Sequence, residues 1–241
     1  MCGVVGGALS RSAPRGASCP RTGAPPPRLV PSPRSVPPVP LVRQERIGLR
    51  KLSYCVAVSI DGFIGGPDGD AVFFNRFVHG DFLDHLTGET PEILPTAARR
   101  HFGVDEAPNR RFDTIIQGRR SYDLALEAGI TRPYAHLREL VASRSLTGSP
   151  DPRVEIVSGD LVARVAELKR EDGLGIYLCG GANLAGQLRD EVDELVLKTY
   201  PVVLGSGMPM FDSGFQVDDF ALDSLRAFDN GVVVRTYRRE R

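Results

Sequence analysis

Two adjacent glycines follow an apolar run in the segment IYLCGGANLAGQL, residues 176–188. The run is typical of a buried strand, and the ANLAGQL that follows it has the apolar spacing of a short helix. Because glycine has no Cβ atom, Gly180 and Gly181 would let the backbone approach a ligand closely and adopt dihedral angles that other residues avoid. The first amides of the helix would offer a phosphate unpaired N–H groups and a partial positive charge. The pattern predicts either a pyrophosphate-binding loop or a tight turn without a ligand.

A second strand end carries similar chemistry. In DTIIQGRRSYD, residues 113–123, a predicted strand runs into Gly118, and Arg119 and Arg120 then open a helix beside Ser121. Arginine at a helix N-terminus opposes the helix dipole, so a bound anion would offset a local cost. The alternative is a solvated, basic start of a helix.

A third predicted strand, in LVASRSL, ends at Ser143 and Arg144. Hydroxyl and guanidinium groups both suit a phosphate. In an open α/β sheet, ligands bind beyond the carboxyl ends of the strands. Three such ends with phosphate-compatible chemistry predict a dinucleotide that carries an extra phosphate, which favours NADP over NAD.

The elements that must position these residues alternate between strand and helix from Lys51 onward. The predicted strands span residues 52–60, 113–117, 137–143, 154–158, 175–179 and 194–204. The predicted helices span residues 119–129, closed by Gly129, 161–170, capped by Asp160, and 182–188. FALDSLRAFDN and GVVVRTYR predict an antiparallel hairpin that turns at Asn230 and Gly231. Residues 71–112 give only one or two poorly defined helices. This order predicts a three-layer α/β domain with a mixed, mostly parallel sheet and an antiparallel C-terminal hairpin.

Residues 1–48 have a different composition, with ten of the 19 prolines, seven arginines and a single acid. Proline lacks the backbone donor and fixes φ, so this part is predicted to be a disordered N-terminal extension. A targeting peptide, a dispensable tail and a start codon assigned too far upstream remain the alternatives.

Composition also argues against several classes of site. The formal net charge is zero, so no global charge favours nucleic acid or an anionic membrane. No apolar run approaches the roughly 20 residues of a membrane-spanning helix. The four cysteines form no C-x-x-C pair and the four histidines lack ligand spacing. We therefore expect no metal site and no disulfide framework, and a reducing, cytoplasmic setting.

The chain from about residue 51 to residue 239 resembles the dihydrofolate reductase-like superfamily. Within it, the chain is most similar to the reductase domain of the riboflavin-pathway deaminase/reductase and to its stand-alone relatives. The resemblance rests, in this order, on AVSIDGFIGGPDGD, IIQGRRSYD, IYLCGGANL, LKTYPVVLGSGMPMF and RAFDNGVVVRTYR. The deaminase half of that enzyme is marked by H-x-E and P-C-x-x-C, and neither occurs in this chain.

The resemblance implies that residues 49–241 form one NADPH-dependent reductase domain. Its reaction would pass a hydride to a C=N or C=O carbon of a small heterocyclic or sugar-phosphate substrate, as 5-amino-6-(5-phosphoribosylamino)uracil reductase does. Dihydrofolate reductase activity is the alternative within enzymes, and a non-catalytic nucleotide-binding module is the alternative outside them. The resemblance also implies a homodimer.

The family's cofactor-binding positions transfer residue by residue. They are Ala57 and Ile64 at the nicotinamide, Gly118, Arg119 and Ser121 at the 2′-phosphate and pyrophosphate, Ser143 and Arg144 on the adenosine side, and Gly180, Gly181, Ala182, Asn183 and Leu184 at the pyrophosphate.

Two aspartates and a glycine-rich loop are the candidates on the substrate side. Asp61 lies in the SIDG turn, where the family's substrate loop begins, and it is either catalytic and substrate-binding or a turn former. Asp70 precedes AVFF and is similar to the acid that opens a helix facing the pterin in true dihydrofolate reductases, where it would assist protonation. Gly205 and Gly207, in LGSGMPMF, match a substrate-side segment, and the alternative is an ordinary loop.

Overall fold

The structure is a computed structural model, and it describes residues 49–240. The predicted N-terminal extension, residues 1–48, lies outside the described residues. The strands are β1 Leu52–Val58, β2 Phe63–Gly65, β3 Phe112–Gly118, β4 Arg138–Ala142, β5 Val154–Val157, β6 Gly175–Cys179, β7 Glu194–Thr199, β8 Met208–Pro209, β9 Phe220–Ala227 and β10 Val233–Arg239. The α-helices are α1 Gly80–Glu89, α2 Thr96–His101, α3 Arg119–Glu127, α4 Leu161–Arg170 and α5 Ala182–Gln187.

An eight-stranded sheet in the order β5-β4-β3-β6-β1-β7-β10-β9 forms the centre of the domain. The six strands from β5 to β7 are parallel, whereas β10 pairs antiparallel with both β7 and β9. Helices cover the two faces, so the predicted α/β fold with a mixed, mostly parallel sheet and an antiparallel C-terminal hairpin is confirmed. β6 lies between β3 and β1, and this order brings the glycine pair that follows β6 to the middle of the sheet's edge.

Successive side chains of each strand point to opposite faces of the sheet, so the hydrophobic core is divided between the two faces. On one face, Tyr54 and Leu178 pack in a cluster with α4 and α5. On the other face, Cys55, Tyr177 and Val196 pack in a cluster with α1. Residues that the sequence separates widely therefore share a face, and this brings the side chains of β1, β6 and β7 together.

Most predicted boundaries agree with the structure to within about two residues, and the strand predicted over 194–204 is much shorter than predicted. Asp160 caps α4, because its carboxylate accepts a hydrogen bond from the Ala163 amide at 3.0 Å. Gly129 follows α3 with a φ of +75°. The strand predicted over 194–204 ends at Thr199. Its extension was wrong because Pro201 has no N–H for the ladder, and the chain turns so that the Val202 carbonyl accepts from Ile60.

Residues 71–112 contain more elements than the sequence predicted. A 3-10 helix, Val72–Phe77, precedes α1, and a second, Pro91–Ile93, precedes α2. Buried Glu92 then fixes the start of β3, since its Oε1 accepts the amides of Arg111 and Phe112 at 2.6 and 3.3 Å. These short turns carry no hydrophobic period, which is why the pattern did not show them.

Candidate functional site

A cleft of about 1730 Å³ lies at the carboxyl ends of the parallel strands. Its lining includes every position predicted for the cofactor, together with Asp70. The cofactor positions are Ala57, Ile64, Gly118, Arg119, Ser121, Ser143, Arg144, Gly180, Gly181, Ala182, Asn183 and Leu184. The remaining predicted site residues, Asp61, Gly205 and Gly207, are not in this lining.

Basic and hydroxyl side chains gather at the end of the cleft formed by β3 and β4. Arg119, the first residue of α3, donates to Asp123 at 2.5 Å and to the Ser145 hydroxyl at 3.0 Å. Arg120 donates to the backbone carbonyl of Asp68 across the cleft. The Ser143 hydroxyl accepts from the amide of Ser145 at 3.3 Å and so closes the turn after β4. Guanidinium and hydroxyl groups in this arrangement can bind phosphate oxygens.

The glycine pair has ordinary backbone geometry, which corrects one sequence-based expectation. Gly180 is not among the glycines with positive φ, and Gly181 has φ −78° and ψ −178°. The expectation that these two glycines adopt dihedral angles that other residues avoid is therefore wrong. A Cβ atom at Gly180 would lie 2.5 Å from a methyl group of Leu184, and one at Gly181 would lie 3.0 Å from the sulfur of Met208. The glycines are needed for close packing between β6, α5 and β8.

Asp70 stands at the rim of the cleft and opens a short helix, as the resemblance implies. Its carboxylate accepts a hydrogen bond from the Val72 amide at 2.9 Å, where the 3-10 helix Val72–Phe77 begins. The side chain is exposed. It can therefore accept from the first amide of the helix and still face a ligand in the cleft.

Asp61 braces a loop outside the cleft. Its carboxylate accepts from the Ser59 hydroxyl at 2.6 Å and from the amides of Leu204 and Gly205 at 3.1 and 2.7 Å. These hydrogen bonds, the one from Ser59 first, lower the pKa of Asp61 below its ordinary value. Nearby, a Cβ atom at Gly207 would lie 2.2 Å from the carbonyl of Gly65, so glycine allows β2 and β8 to meet. The geometry gives both residues a structural task, and their predicted substrate roles stay predictions.

Four side chains that the sequence did not assign to the site line the floor of the cleft: Cys55, Tyr177, Cys179 and Lys198. Burial raises the pKa of the Cys55 thiol to about 12 and raises the pKa of Tyr177 well above its ordinary value. Burial lowers the pKa of Lys198. The signal for Lys198 was a single charge inside the apolar run LVLKTY, residues 195–200, but the importance of this charge depends on which neighbours face it.

The described part of the chain shows no metal-type cluster and no membrane-crossing helix. Within residues 49–240, no group of three or more histidine, cysteine, aspartate or glutamate side chains is arranged to hold a metal ion. Over the same range, every helix is too short or too polar to cross a bilayer.

Sequence comparison finds one matching family model and two bacterial relatives. A family model described as the RibD C-terminal domain matches residues 130–234. "Uncharacterized protein YwjB" of Bacillus subtilis (strain 168) is 29% identical over 191 residues, which cover 78% of this chain and 98% of the relative. "Uncharacterized protein YyaP" of the same organism is 27% identical over 201 residues, which cover 78% of this chain and 94% of the relative.

Three solved structures share the fold, and each aligns with 80% of this chain. A Shewanella sp. PV-4 protein named "Putative riboflavin biosynthesis protein" has a TM-score of 0.61 at 23% identity and is covered completely. The Thermotoga maritima diaminohydroxyphosphoribosylaminopyrimidine deaminase/5-amino-6-(5-phosphoribosylamino)uracil reductase has a TM-score of 0.50 at 13% identity, with 57% of it covered. Dihydrofolate reductase from Enterococcus faecalis, complexed with NADP(H) and RAB-propyl, has a TM-score of 0.51 at 14% identity, with 99% of it covered. The chain therefore has the fold of these structures, dihydrofolate reductase among them, and is similar, over residues 130–234, to the RibD C-terminal domain.

Proposed function

We propose that this protein is an NADPH-dependent reductase that acts on a small heterocyclic or sugar-phosphate substrate. The observation that carries the proposal is the two-ended cleft at the carboxyl ends of the parallel strands. One end gathers arginine and serine side chains, and the other has a floor of thiol, phenol and amine groups. At about 1730 Å³, the cleft exceeds the roughly 300–1,000 Å³ of a typical small-ligand pocket, so it has room for a dinucleotide and a substrate together.

The donor set at the strand ends fits a phosphorylated dinucleotide. Arg119 and Arg144 would bind the 2′-phosphate, and Ser121 and Ser143 would donate to phosphate oxygens. The amides at the start of α5, beginning with Ala182, would face the pyrophosphate, because the first turn of a helix has no internal acceptors for them. When bound, NADPH would supply the hydride, and the protein would supply orientation and exclusion of water.

The substrate half of the cleft is proposed to lie over β1, β6 and β7. Ala57, with its small side chain, leaves space above the sheet for a flat ring. Asp70 at the rim can contact the edge of a bound substrate, whereas Asp61 holds the loop at 204–205 in place. The likeness to a 5-amino-6-(5-phosphoribosylamino)uracil reductase supports a ribosylaminopyrimidine as the first substrate to test.

Two measurements on the purified full chain test this function. Calorimetry should detect NADPH binding that is tighter than NADH binding, since NADH lacks the 2′-phosphate. The loss of NADPH absorbance should then be followed with 5-amino-6-(5-phosphoribosylamino)uracil and, separately, with dihydrofolate. Oxidation with the first substrate supports the proposal, and oxidation with dihydrofolate alone would favour a dihydrofolate reductase. NADPH binding without turnover of any pyrimidine or pterin would favour a non-catalytic nucleotide-binding module, and no NADPH binding would overturn all three.

The assembly and the setting of the protein stay predictions. We expect a homodimer and a cytoplasmic location, and sedimentation of the purified protein would test the first of these.

A further inference from the structure

Lys198 occupies an unusual position on the sheet. In the ladder it pairs with Ala57 of β1 on one side and with Val234 of β10 on the other. Side chains two residues apart on a strand share a face, so Lys198 points to the same face as Val196 and Tyr200. Both of those residues belong to the apolar cluster that also contains Cys55 and Tyr177. A lysine therefore stands among apolar, thiol and phenol side chains where this face forms the floor of the cleft.

The amine of Lys198 has no partner within residues 49–240 that forms a hydrogen bond or an ion pair with it. Lys169 makes a useful contrast, because its amine lies 3.1 Å from Glu191 and 2.7 Å from Asp193. Taking an ammonium group out of water without a counter-charge costs free energy. Lys198 is half-buried in the lining of the cleft, so a ligand that displaced water from the cleft would have to supply a partner for the amine.

The neighbours of Lys198 cannot neutralise it by themselves. The groups whose charge acts on the amine are Cys55 on β1 and Cys179 on β6. The Cys55 thiol, whose pKa is raised to about 12, stays neutral at physiological pH. Tyr177 on β6 also lines this part of the cleft with a raised pKa, while β10 places Val234 opposite. The carboxylate of Asp70 stands at the exposed rim, where it caps a helix.

Desolvation by burial lowers the pKa of Lys198, which makes its ammonium a stronger acid than an ordinary lysine. Ala57, its partner in the ladder, adds little bulk above the sheet, so a flat group can lie over the floor close to the amine. Arg119 and Arg144 line the cleft on α3 and after β4, and Arg120 reaches across it to the Asp68 carbonyl. Lys198 is therefore the cation on the floor of the part of the cleft that we assign to the substrate.

We propose that Lys198 is the catalytic acid of this site, which takes a substrate with a conjugated C=O or C=N group and protonates its heteroatom. This inference rests on the reductase function proposed above and adds the identity of the proton donor. It assigns the acid to the floor of the cleft, leaving Asp70 to cap its helix and Asp61 to brace its loop.

The step balances with one proton from the protein and one hydride from the reduced nicotinamide. The N–H bond of Lys198 breaks as a new bond forms between that hydrogen and the substrate oxygen or nitrogen. The π electrons of the C=O or C=N group form this bond, and the carbon takes the hydride with its electron pair. Lys198 is left as a neutral amine and regains a proton from solvent.

The first test needs neither cofactor nor substrate. Lys198→Met and the matched control Lys169→Met are compared with the native full chain by thermal melting. Lys198→Met should melt at the native temperature or above it, because an unpaired charge is removed, and Lys169→Met should melt lower, because Glu191 and Asp193 lose their ion pairs with the Lys169 amine. A loss in Lys198→Met as large as that in Lys169→Met would make Lys198 a structural residue and overturn the proposal.

The acidity of the amine can be measured directly, since the chain contains only three lysines, Lys51, Lys169 and Lys198. Reductive methylation with ¹³C-formaldehyde gives each lysine a carbon signal, and Lys198→Met identifies the one that belongs to Lys198. We expect this signal to titrate below the ordinary lysine range. Titration within or above that range would overturn the role as an acid.

Kinetics with the substrate identified under the proposed function form the third test. Lys198→Met should lower kcat about 100-fold or more and leave the NADPH dissociation constant within about twofold. The fall of native kcat at high pH, where the amine loses its proton, should disappear in this variant. Lys198→Arg should be nearly as slow, because guanidinium keeps the charge but does not release a proton near neutral pH.

Three results would contradict the proton-donor role and leave the reductase function standing. They are full kcat in Lys198→Arg, a raised KM with unchanged kcat in Lys198→Met, and loss of NADPH affinity in Lys198→Met. The first two would make Lys198 an anchor for a substrate phosphate or oxyanion, and the third would assign it to the cofactor. Absence of NADPH binding by the native chain would instead contradict the reductase function itself.

Discussion

Arg119 is held in place by two neighbours before any ligand binds. Its guanidinium is bonded to Asp123, one turn further along α3, and to the Ser145 hydroxyl beyond β4. A side chain that is already ordered loses less conformational entropy when it meets a phosphate. Asp123 also offsets the unfavourable charge of Arg119 at the helix start, so the arginine can stand there without a bound anion.

Replacing Arg119 with alanine should separate the two nicotinamide cofactors. We expect Arg119→Ala to weaken NADPH binding about tenfold or more, because a charge-assisted contact to the 2′-phosphate is lost. NADH binding should change by less than about twofold. Calorimetry with both cofactors makes the comparison. Arg138→Ala is the matched control, since Arg138 is an exposed arginine at the opposite end of β4 that pairs with Glu155 and Glu171. Equal losses of affinity for NADPH and NADH would contradict a contact between Arg119 and the 2′-phosphate.

Single residues were predictable from the sequence where their chemistry depends on local order. A strand that runs into glycine, arginine and serine predicted the position of Gly118 and Arg119 in the cleft. Lys198 was not predictable in this way. Its role depends on Ala57, 141 positions earlier in the chain, and on the face that β7 turns towards the cleft.

At the scale of elements, α5 is fixed against the loop that follows β8. The Asp212 amide donates to the Ala182 carbonyl at 3.0 Å. On the same helix, a Cβ atom at Gly186 would lie 2.1 Å from the carbonyl oxygen of Asp212. The loop carries no flexible side chain at this contact, so backbone would have to move. Glycine at 186 therefore sets how closely the loop approaches α5, beside the glycine pair of the cleft.

A pair of helical glycine substitutions tests this contact. Gly186→Ala should lower the free energy of unfolding by about 2 kcal/mol or more, because the added methyl group meets backbone that cannot rotate away. Gly88→Ala on α1 is the matched control, since no atom lies within 4 Å of the added Cβ atom. That variant should be stabilised by about 0.5–1 kcal/mol, since alanine favours the helix. Denaturant unfolding compares them, and equal stability of the two variants would show that α5 does not pack as described.

Some strands and helices have a hydrophobic period that predicts them from the sequence, and others do not. The strands of the central sheet and α4 have clear apolar patterns, and Asp160 marks the start of α4. β2 and β8 have three and two residues, too few for any alternation to show. The order of the strands is also hidden, because the insertion of β6 between β3 and β1 is decided by packing between distant segments.

At the scale of the whole molecule, one fully buried carboxylate links stability to pH. Glu139 on β4 has no exposed surface. Its oxygens accept from the Tyr134 amide and the Gln117 side chain, each at 3.0 Å, and Arg132 lies 3.6 Å away. Burial outweighs these donors and raises the pKa of Glu139 from 4.5 to about 7. Half-buried His136 acts in the opposite direction, because partial burial lowers its pKa below 6.5.

Between pH 4.5, the ordinary pKa of a glutamate, and about pH 7, its raised value in the fold, the folded state holds a proton on Glu139 that the unfolded state has released. Stability from this group is therefore complete below about pH 4.5 and is lost as pH rises towards 7, by at most about 3 kcal/mol at 1.36 kcal/mol per pKa unit. Glu139→Gln should gain stability relative to the native chain as pH rises from about 5 to 8, and subtracting the two curves removes the contribution of His136. Urea unfolding across this range measures the difference, with exposed Glu240→Gln as a control that should stay parallel to the native chain. A constant gap between Glu139→Gln and the native chain would mean that Glu139 is already ionised in the fold at pH 5, with the donors from Tyr134, Gln117 and Arg132 outweighing burial.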